Sequence, residues 1–593
     1  MRGVFREVCF LSYQRKKRSG ILLLLLIFLS GAWLLDYVRA MEDEALVSID
    51  EGFDTFGEVY RYIANSYVEE IEPQKIIDAG IEGMLEKLDP YTQFLSTKAR
   101  VDQLKIDTTG EFGGLGIQIA VLNNAPTVIS PIDGTPAYHI GLQAGDRIVK
   151  IEGDPTEGMS LEDVVSILRG KPGTSVTITI EREGEGAPID FTIVREIIKV
   201  KSVTLAEKVA DTVGYVRLAR FRQGETHSAT HELAEAIQSL KDQNIQAFIL
   251  DLRPNPGGLL SEACSVADLF LEKGQLIVST KGRVPHQNRQ FFAEKEPLLE
   301  PSIPMVVLVG PGSASASEIV AGAIQDHDRG LILGETTFGK GSVQTLHRIG
   351  SDKELKLTTA LYYTPSGRSI HKWGRKIAEN PVSSEGKTKR SQGIVPVEKD
   401  TTAQQTFFTD KKRIVYGGGG ITPDVTVEFP KRSQFLFALE RRRVFFNFVV
   451  HYAALHPDAE SDGIVDDEML AAFREYLDDP AQQFEYPTPG EAQIEVLEKL
   501  VEEEGYDAKI KQLLADLRSA LEDEKARDFE KGRAYIQMAL RREIASRRGG
   551  LDAGLRATFP EDVQLQKAIE ILQNPALYAE KMSASPEAQA TVR

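Results

Sequence analysis

The chain has 593 residues, of which 42% are hydrophobic and 27% charged, with a net charge of −18. That length exceeds one ordinary core, and that charge excludes nucleic acid as a partner of the whole chain. The only cysteines are Cys9 and Cys264 and no HExxH motif occurs, so neither a disulfide framework, a metal nor another cofactor is expected.

Residues 1–40 read as a signal or anchor segment. Arg2, Arg6, Arg15, Lys16, Lys17 and Arg18 precede an apolar stretch from Ile21 to Leu35. A basic flank before an apolar segment keeps the N-terminus in the cytoplasm and sends the remainder across a membrane. The stretch is about 15 residues, short of the roughly 20 of an untilted span. Val38-Arg39-Ala40 would suit a signal peptidase, so a retained membrane anchor and a cleaved signal both stay open. Either one places the rest of the chain in the cell envelope, on the periplasmic side of the inner membrane.

Residues 47–98 form a helical segment in which Phe53, Phe56, Val59, Tyr60, Ile63 and Tyr67 recur at helical spacing, as do Ile76, Ile77, Ile81, Met84, Leu85 and Leu88. Asp89-Pro90 stops it. Residues 105–197 turn β-rich, with a helix at MSLEDVVSILRG started by Ser160 and stopped by Gly170. Residues 200–430 read as an α/β core. Its strands are VGYVRLA, AFILDL at 247–252, MVVLVG at 305–310 and LILGE, and its helices are 226–242 and 315–327. Within it, 372–416 is polar and patternless and reads as an inserted loop. Residues 431–593 are helical and highly charged.

Three loops of the core draw attention because each follows a short apolar strand of the kind buried on both faces. The first is Arg253-Pro254-Asn255-Pro256-Gly257-Gly258, the second runs from Pro311 to Glu318, and the third from Thr336 to Gly341. If the strands are parallel neighbours, all three loops leave the sheet edge where α/β folds hold ligands. The second loop places Ser313, Ser315 and Ser317 at a helix start, beside free N–H groups and the positive end of the dipole. An oxyanion formed by attack of Ser315 could be held by the N–H of Ala316 and by the Gly257-Gly258 turn. The plainer reading is that Ser315-x-x-Glu318 is a capping box. Lys340 is flanked by Gly339 and Gly341, so burial could lower its pKa enough for a general base, and Gln344 could orient its amine. The plainer readings are a surface lysine in a turn and a polar residue at a strand edge. Gly334 to Lys340 nearly makes a phosphate-binding loop, but Gly341 stands where the metal-holding Ser or Thr is required, and SVQTLHRIG after it reads as extended.

These residues resemble the C-terminal processing, or tail-specific, proteases, which are serine–lysine peptidases carrying a PDZ domain. The resemblance rests on LDPYTQFL (88–95), FGGLGIQI (112–119), GLQAGDRIVKI (141–151), ILRGKPGT (167–174), ILDLRPNPGGLL (249–260), GSASASEIVAGAIQD (312–326), GETTFGKGSVQT (334–345), YYTPSGRSI (362–370) and GITPD (420–424). It implies a multidomain α+β protein: a crotonase-like α/β protease core preceded by a PDZ domain, between an N-terminal helical segment and a C-terminal helical region. It implies Ser315 as nucleophile, Lys340 as base and Gln344 as support, with oxyanion donors at Ala316 and at Gly257 or Gly258. Pro254 replaces the first asparagine of the usual NNPGG and leaves open which glycine serves.

The PDZ domain, 105–197, implies recognition of protein C-termini. Gly113, Gly114, Leu115 and Gly116 would cradle a terminal carboxylate with backbone N–H groups. The following strand would pair with the peptide, and Leu115, Ile117 and Ile119 would line the pocket for its last side chain. Arg169, at the end of the PDZ helix, would couple peptide occupancy to catalysis. The expected activity is acyl-enzyme hydrolysis, rising with pH as Lys340 loses its proton below the roughly 10.4 of free lysine. The expected partners are unfolded or C-terminally exposed proteins and a membrane through the N-terminal segment. A homo-oligomer or an adaptor stays open. The alternative reading is an inactive PDZ scaffold that binds C-termini.

Overall fold

The computed structural model describes residues 50–225, 227–372, 405–456, 464–488 and 490–583. The basic and apolar N-terminal segment lies outside these residues. Among those described, no helix is long and apolar enough to cross a membrane. The chain divides into two compact units, Met1–Ser96 and Thr97–Arg593.

In the first unit, helix α1 spans 50–66, α2 spans Pro73–Leu85 and strand β1 spans Gln93–Leu95. Proline opens α2, where its missing N–H costs nothing. The Asp89 carboxylate accepts the N–H groups of Tyr91 and Thr92 and the Thr92 hydroxyl, closing the turn before β1.

The second unit opens with α3, Lys98–Thr109, which starts at the Thr97 side chain and stops at Gly110 with φ of +74°. Its sequence has no apolar stripe, so periodicity gives no sign of it. Residues 105–109, expected to begin the PDZ domain, belong to this helix instead. A β-rich module follows: β2 (Glu111–Gly114), β3 (Ile117–Leu122), β4 (Ala125–Pro131), α4 (Pro136–His139), β5 (Arg147–Ile151), β6 (Asp154–Pro155), α5 (Leu161–Leu168), β7 (Ser175–Glu181), β8 (Ile189–Val194) and β9 (Glu196–Lys199). Its sheet order is β3-β4-β5-β7-β8, so β3 is an edge strand, and β2 pairs separately with β9. Val128, Ile148, Val164 and Ile178 form its core, and Ser160 with Asp163 makes a full capping box on α5.

The α/β core contains β10 (Val203–Ala210), β11 (Val213–Leu218), α6 (Ala229–Asp242), β12 (Ala247–Asp251), α7 (Leu260–Asp268), β13 (Leu276–Gly282), β14 (Arg289–Phe292), β15 (Met305–Val309), α8 (Ala316–Asp326), β16 (Leu331–Gly334), β17 (Ser342–Ile349), β18 (Lys353–Tyr363), β19 (Thr406–Phe408), β20 (Ile414–Tyr416) and β21 (Val425–Thr426). The main sheet runs β10-β11-β12-β15-β16-β21, parallel from β11 onward. The loops after β12, β15 and β16 therefore leave one edge together. Strands β14, β13, β18 and β17 are joined antiparallel beside it. The segment after Gly341 is strand β17, so the helix a phosphate loop needs is absent there.

Alternation explains the apolar runs. Phe248, Leu250, Met305, Val307 and Val309 face a cluster with α6, α7 and α8, while Ala247, Ile249, Val306 and Leu308 face the opposite cluster. Residues 406–416, read as loop from the sequence, form the hairpin β19–β20. Buried ion pairs explain its order. Arg413 binds Asp328 and Asp424, and the fully buried Arg368 binds Asp326, so the segment is fixed to the end of α8.

The C-terminal region holds α9 (Gln434–Arg441), α10 (Val444–Leu455), α11 (Asp467–Asp478), α12 (Glu491–Glu503), α13 (Ala508–Lys525), α14 (Asp528–Lys531), α15 (Arg533–Arg556), α16 (Val563–Leu572) and α17 (Pro575–Lys581). Phe435, Phe445, Phe448, Phe473, Ile536 and Leu540 form the core of a helical bundle. Gly549 and Gly550 break α15. Beyond the break, Leu565, Ala568, Ile571 and Leu572 cover the second face of the main sheet. The helical region is thus not one separate block, because its last helices belong to the protease core. Its bundle also meets the β-rich module, through the pair His451–Glu183 at 2.6 Å and the Arg547 guanidinium on the Ala144 carbonyl.

Candidate active site

The loop after β15 turns sharply so that Ser315 precedes α8 with φ of +54° and ψ of −112°. A serine with positive φ is strained backbone, held by its surroundings. Those surroundings separate the three serines. Ser313 is fully buried and donates to the Leu252 carbonyl at 2.7 Å. Ser317 is also fully buried and donates to the Asn255 carbonyl at 2.7 Å. Both hydroxyls are committed to the fold. Ser315 is partly exposed, and its side chain makes no capping bond. Only half of the capping box exists: the Glu318 carboxylate accepts the Ser315 N–H at 2.8 Å.

The first loop lies against this turn. A Cβ on Gly257 would sit 2.9 Å from the Ser315 Cβ and 3.0 Å from the Ala316 nitrogen, so only glycine leaves that N–H open. Gly257 has φ of +101°. Its own N–H donates to the Asn255 Oδ1 at 2.9 Å. The N–H groups of Gly258 and Ala316 have no acceptor among the described residues. Of the two glycines left open by the sequence, Gly258 is the one with a donor to offer. Asn255, fully buried, holds the loops in this arrangement. Its amide donates to the Leu218 carbonyl, and its backbone oxygen accepts the Ala314 N–H and the Ser317 hydroxyl.

The third loop is tied to the second by Glu318. This fully buried carboxylate accepts the Thr337 hydroxyl and the Gly339 N–H on Oε1, and the N–H groups of Ser315 and Lys340 on Oε2. Burial pushes its pKa above the ordinary glutamate value, against the opposing effect of these donors. The Tyr362 hydroxyl adds a second tie, bonded to the backbone oxygens of Ser315 and Lys340. Gln344, expected to orient the Lys340 amine, stands on β17. A register shift between Val343 and Gln344 sets it opposite Thr358, and its amide nitrogen donates to the hydroxyls of Ser342 at 3.0 Å and Thr358 at 3.3 Å.

In the β-rich module, Leu115 is 3% exposed, and Ile117 and Ile119 on β3 pack against the same core. Gly116 has φ of +78°, and a Cβ there would lie 2.2 Å from that of Thr135. A Cβ on Gly113 would meet the Gly170 carbonyl at 2.1 Å. Gly114 ends β2 and is buried. The N–H groups of Leu115 and Gly116 have no acceptor among the described residues. Arg169 ends α5, donates to Gln103 of α3 at 2.9 Å and lies over the Phe112 ring. Burial lowers its pKa, with Asp107 opposing. No group of His, Cys, Asp or Glu among the described residues is arranged to hold a metal ion.

Sequence reasoning saw Glu318 only as a capping partner and missed Asn255 as a brace. It also missed the buried group at the root of the first loop, where Asp251 binds Arg253 at 2.6 Å and the Tyr215 hydroxyl at 2.7 Å. Burial would raise the Asp251 carboxyl, but Arg253 and Tyr215 outweigh it and hold it below the usual range. Acidic and basic residues bracketing a strand end were the available signal.

Family models match along the chain in order. They are the Activating protease CtpB N-terminal domain (36–99), the PDZ domain (127–182), Peptidase family S41 (212–378) and the Probable PDZ-protease, C-terminal helical domain (435–572). The chain is 46% identical over 316 residues to the carboxy-terminal-processing protease of Bartonella bacilliformis, covering 53% of this chain and 71% of that one. It is 35% identical over 331 residues to the carboxy-terminal processing protease CtpA of Bacillus subtilis, covering 55% and 68%. It is 36% identical over 313 residues to the carboxyl-terminal-processing protease of Synechocystis, covering 51% and 71%. The S41 match spans strands β11 to β16 of the main sheet and the three loops built above, and the PDZ match falls on the β-rich module before them: the chain belongs to the PDZ-containing serine peptidases of family S41.

Proposed function

We propose that this protein is an endopeptidase of the cell envelope that captures protein C-termini in its PDZ domain and hydrolyses peptide bonds through an acyl-enzyme on Ser315. Neutral Lys340 takes the Ser315 proton, and the alkoxide attacks the substrate carbonyl. The N–H groups of Ala316 and Gly258 receive the developing negative charge. Lys340 returns the proton to the leaving amine and then activates the water that releases the acyl group. Gln344 is a supporting residue that orients the amine, its own side chain steadied by Ser342 and Thr358.

The observation that carries this reading is the partition of the three serines. Ser315 alone has a hydroxyl outside the fold's own bonds, beside two unengaged N–H donors and on a turn joined to the Lys340 backbone through Glu318. Capture of C-termini draws support from the unpaired edge of β3 and the unengaged N–H groups of Leu115 and Gly116. Arg169, between α5 and α3, couples an occupied groove to the core. The basic and apolar N-terminus holds the enzyme at the periplasmic side of the inner membrane.

The test is incubation of the enzyme with an unfolded protein ending in small apolar residues. Cleavage is expected from the wild type and is abolished in folded Ser315→Ala and Lys340→Ala variants. Undiminished cleavage by either variant overturns the mechanism.

A further inference from the structure

The residue just before the oxyanion loop has two engagements. The backbone of Arg253 supports the nucleophile turn: its oxygen accepts the Ser313 hydroxyl at 3.4 Å, and a Cβ on Gly312 would meet that oxygen at 2.7 Å. Its guanidinium points the other way, into the C-terminal helices. Nη1 donates to the Asp562 Oδ1 at 2.9 Å and to the Gln564 Oε1 at 3.3 Å. Asp562 also caps α16, accepting the N–H groups of Gln564 and Leu565. Gln564 is 1% exposed, and its amide donates to the Val427 carbonyl at 2.7 Å and to Glu335, at the root of the Lys340 loop, at 3.5 Å. The first turn of α16 therefore holds the bases of two catalytic loops from beneath.

We propose that Asp562 and Gln564 are positioning residues for catalysis. By fixing Arg253 they hold the Asn255–Gly258 loop where the Gly258 N–H meets the oxyanion. The inference rests on the acyl-enzyme reading and adds that the C-terminal helix sets the geometry of its oxyanion site. The chemistry favours this over simple packing. A charged pair with two hydrogen-bonded oxygens fixes direction as well as distance. Asp251 takes the Nε and Nη2 of Arg253, so Asp562 and Gln564 supply the acceptors for the remaining nitrogen, Nη1, while Pro254 and Pro256 carry no N–H with which the loop could be tied further. Oxyanion stabilisation falls steeply with donor misplacement, so a small release of Arg253 acts on the transition state and leaves substrate binding in the PDZ domain untouched.

The test uses the full chain and an isosteric change. Asp562→Asn keeps an equally good helix cap and removes only the charge facing Arg253. The expected result is a kcat lower by about tenfold with KM and the unfolding temperature nearly unchanged. The affinity for a peptide aldehyde, which forms a tetrahedral adduct with the nucleophile, falls in parallel with kcat/KM. Gln564→Ala gives a smaller loss of the same kind and serves as second variant if the first is unstable. Lys567→Ala, on the exposed side of α16, is the control and leaves kcat as it was. Asp562→Asn with wild-type kcat and aldehyde affinity overturns the proposal, as does a kcat loss that tracks the fraction unfolded. Failure of the wild type itself to bind the aldehyde, or activity in Ser315→Ala, instead overturns the acyl-enzyme reading.

Discussion

Glu318 shows how much one buried side chain can organise. Its two oxygens receive four donors from two loops, so replacing it with Gln turns an amide nitrogen toward N–H groups that need an acceptor. Glu318→Gln is expected to lower kcat by about a hundredfold with little change in KM, read from steady-state kinetics on a peptide. The pH dependence follows from the sign of its shift. Catalysis needs the carboxylate, so activity falls on acidification through a pKa held above the ordinary glutamate value, and this acid limb disappears in the Gln variant. On stability the sign reverses. A raised folded pKa favours the protonated form, a contribution present below the unfolded value and lost as pH rises through the folded one. Gly257→Ala places a Cβ over the Ala316 N–H at a φ of +101°, with an expected loss of about 100- to 1,000-fold in kcat. At this scale the sequence is only partly legible. SASAS presents three equivalent hydroxyls, and the bonds of Ser313 and Ser317 that set Ser315 apart come from Leu252 and Asn255, about 60 positions away, just past the end of a strand that only the folded sheet brings near.

Among the elements, the strands AFILDL, MVVLVG and LILGE were readable because residues buried on both faces of a parallel sheet leave an unbroken apolar run. Helix α3 was not, since its residues present no apolar face, and neither was the hairpin 406–416, whose order comes from Arg413 and Asp328 rather than from alternation. The end of β12 offers a measurement of such buried charge. Asp251→Asn leaves Arg253 poorly matched, with an expected loss of about 3 kcal/mol at neutral pH. Because the Asp251 pKa is lowered on folding, that contribution is present above the unfolded value and lost as pH falls through the folded one. Urea unfolding of wild type and variant at neutral and acidic pH is expected to show the difference shrinking. In the PDZ module, Gly116→Ala forces a positive φ on a side chain that would meet Thr135, so affinity for a labelled peptide ending in a free carboxylate is expected to fall by about tenfold. Fluorescence anisotropy reads that change directly.

For the whole molecule, the sheet has two faces and the chain covers them at different times. Helices α6, α7 and α8 supply the first cover, and α16 with α17 supplies the second from more than two hundred residues downstream of β16. The sequence showed 431–593 as helical and charged but not that Leu565, Ala568, Ile571 and Leu572 cover the sheet, because an apolar stripe reads the same against a bundle or a sheet. Each such leucine or isoleucine contributes roughly 1.5 to 3 kcal/mol. A chain ended at residue 561 is expected to expose Ile249, Val306 and Leu308, precipitate on expression and bind a hydrophobic dye where soluble. This arrangement has a bearing on timing. Ser315 and Lys340 leave the ribosome long before residues 563–582, so a half-made chain already carries the proposed nucleophile and base while the sheet behind them is still bare on one side. Synthesis of that distant helix, rather than of the loops themselves, completes the sheet on which the proposed active site stands.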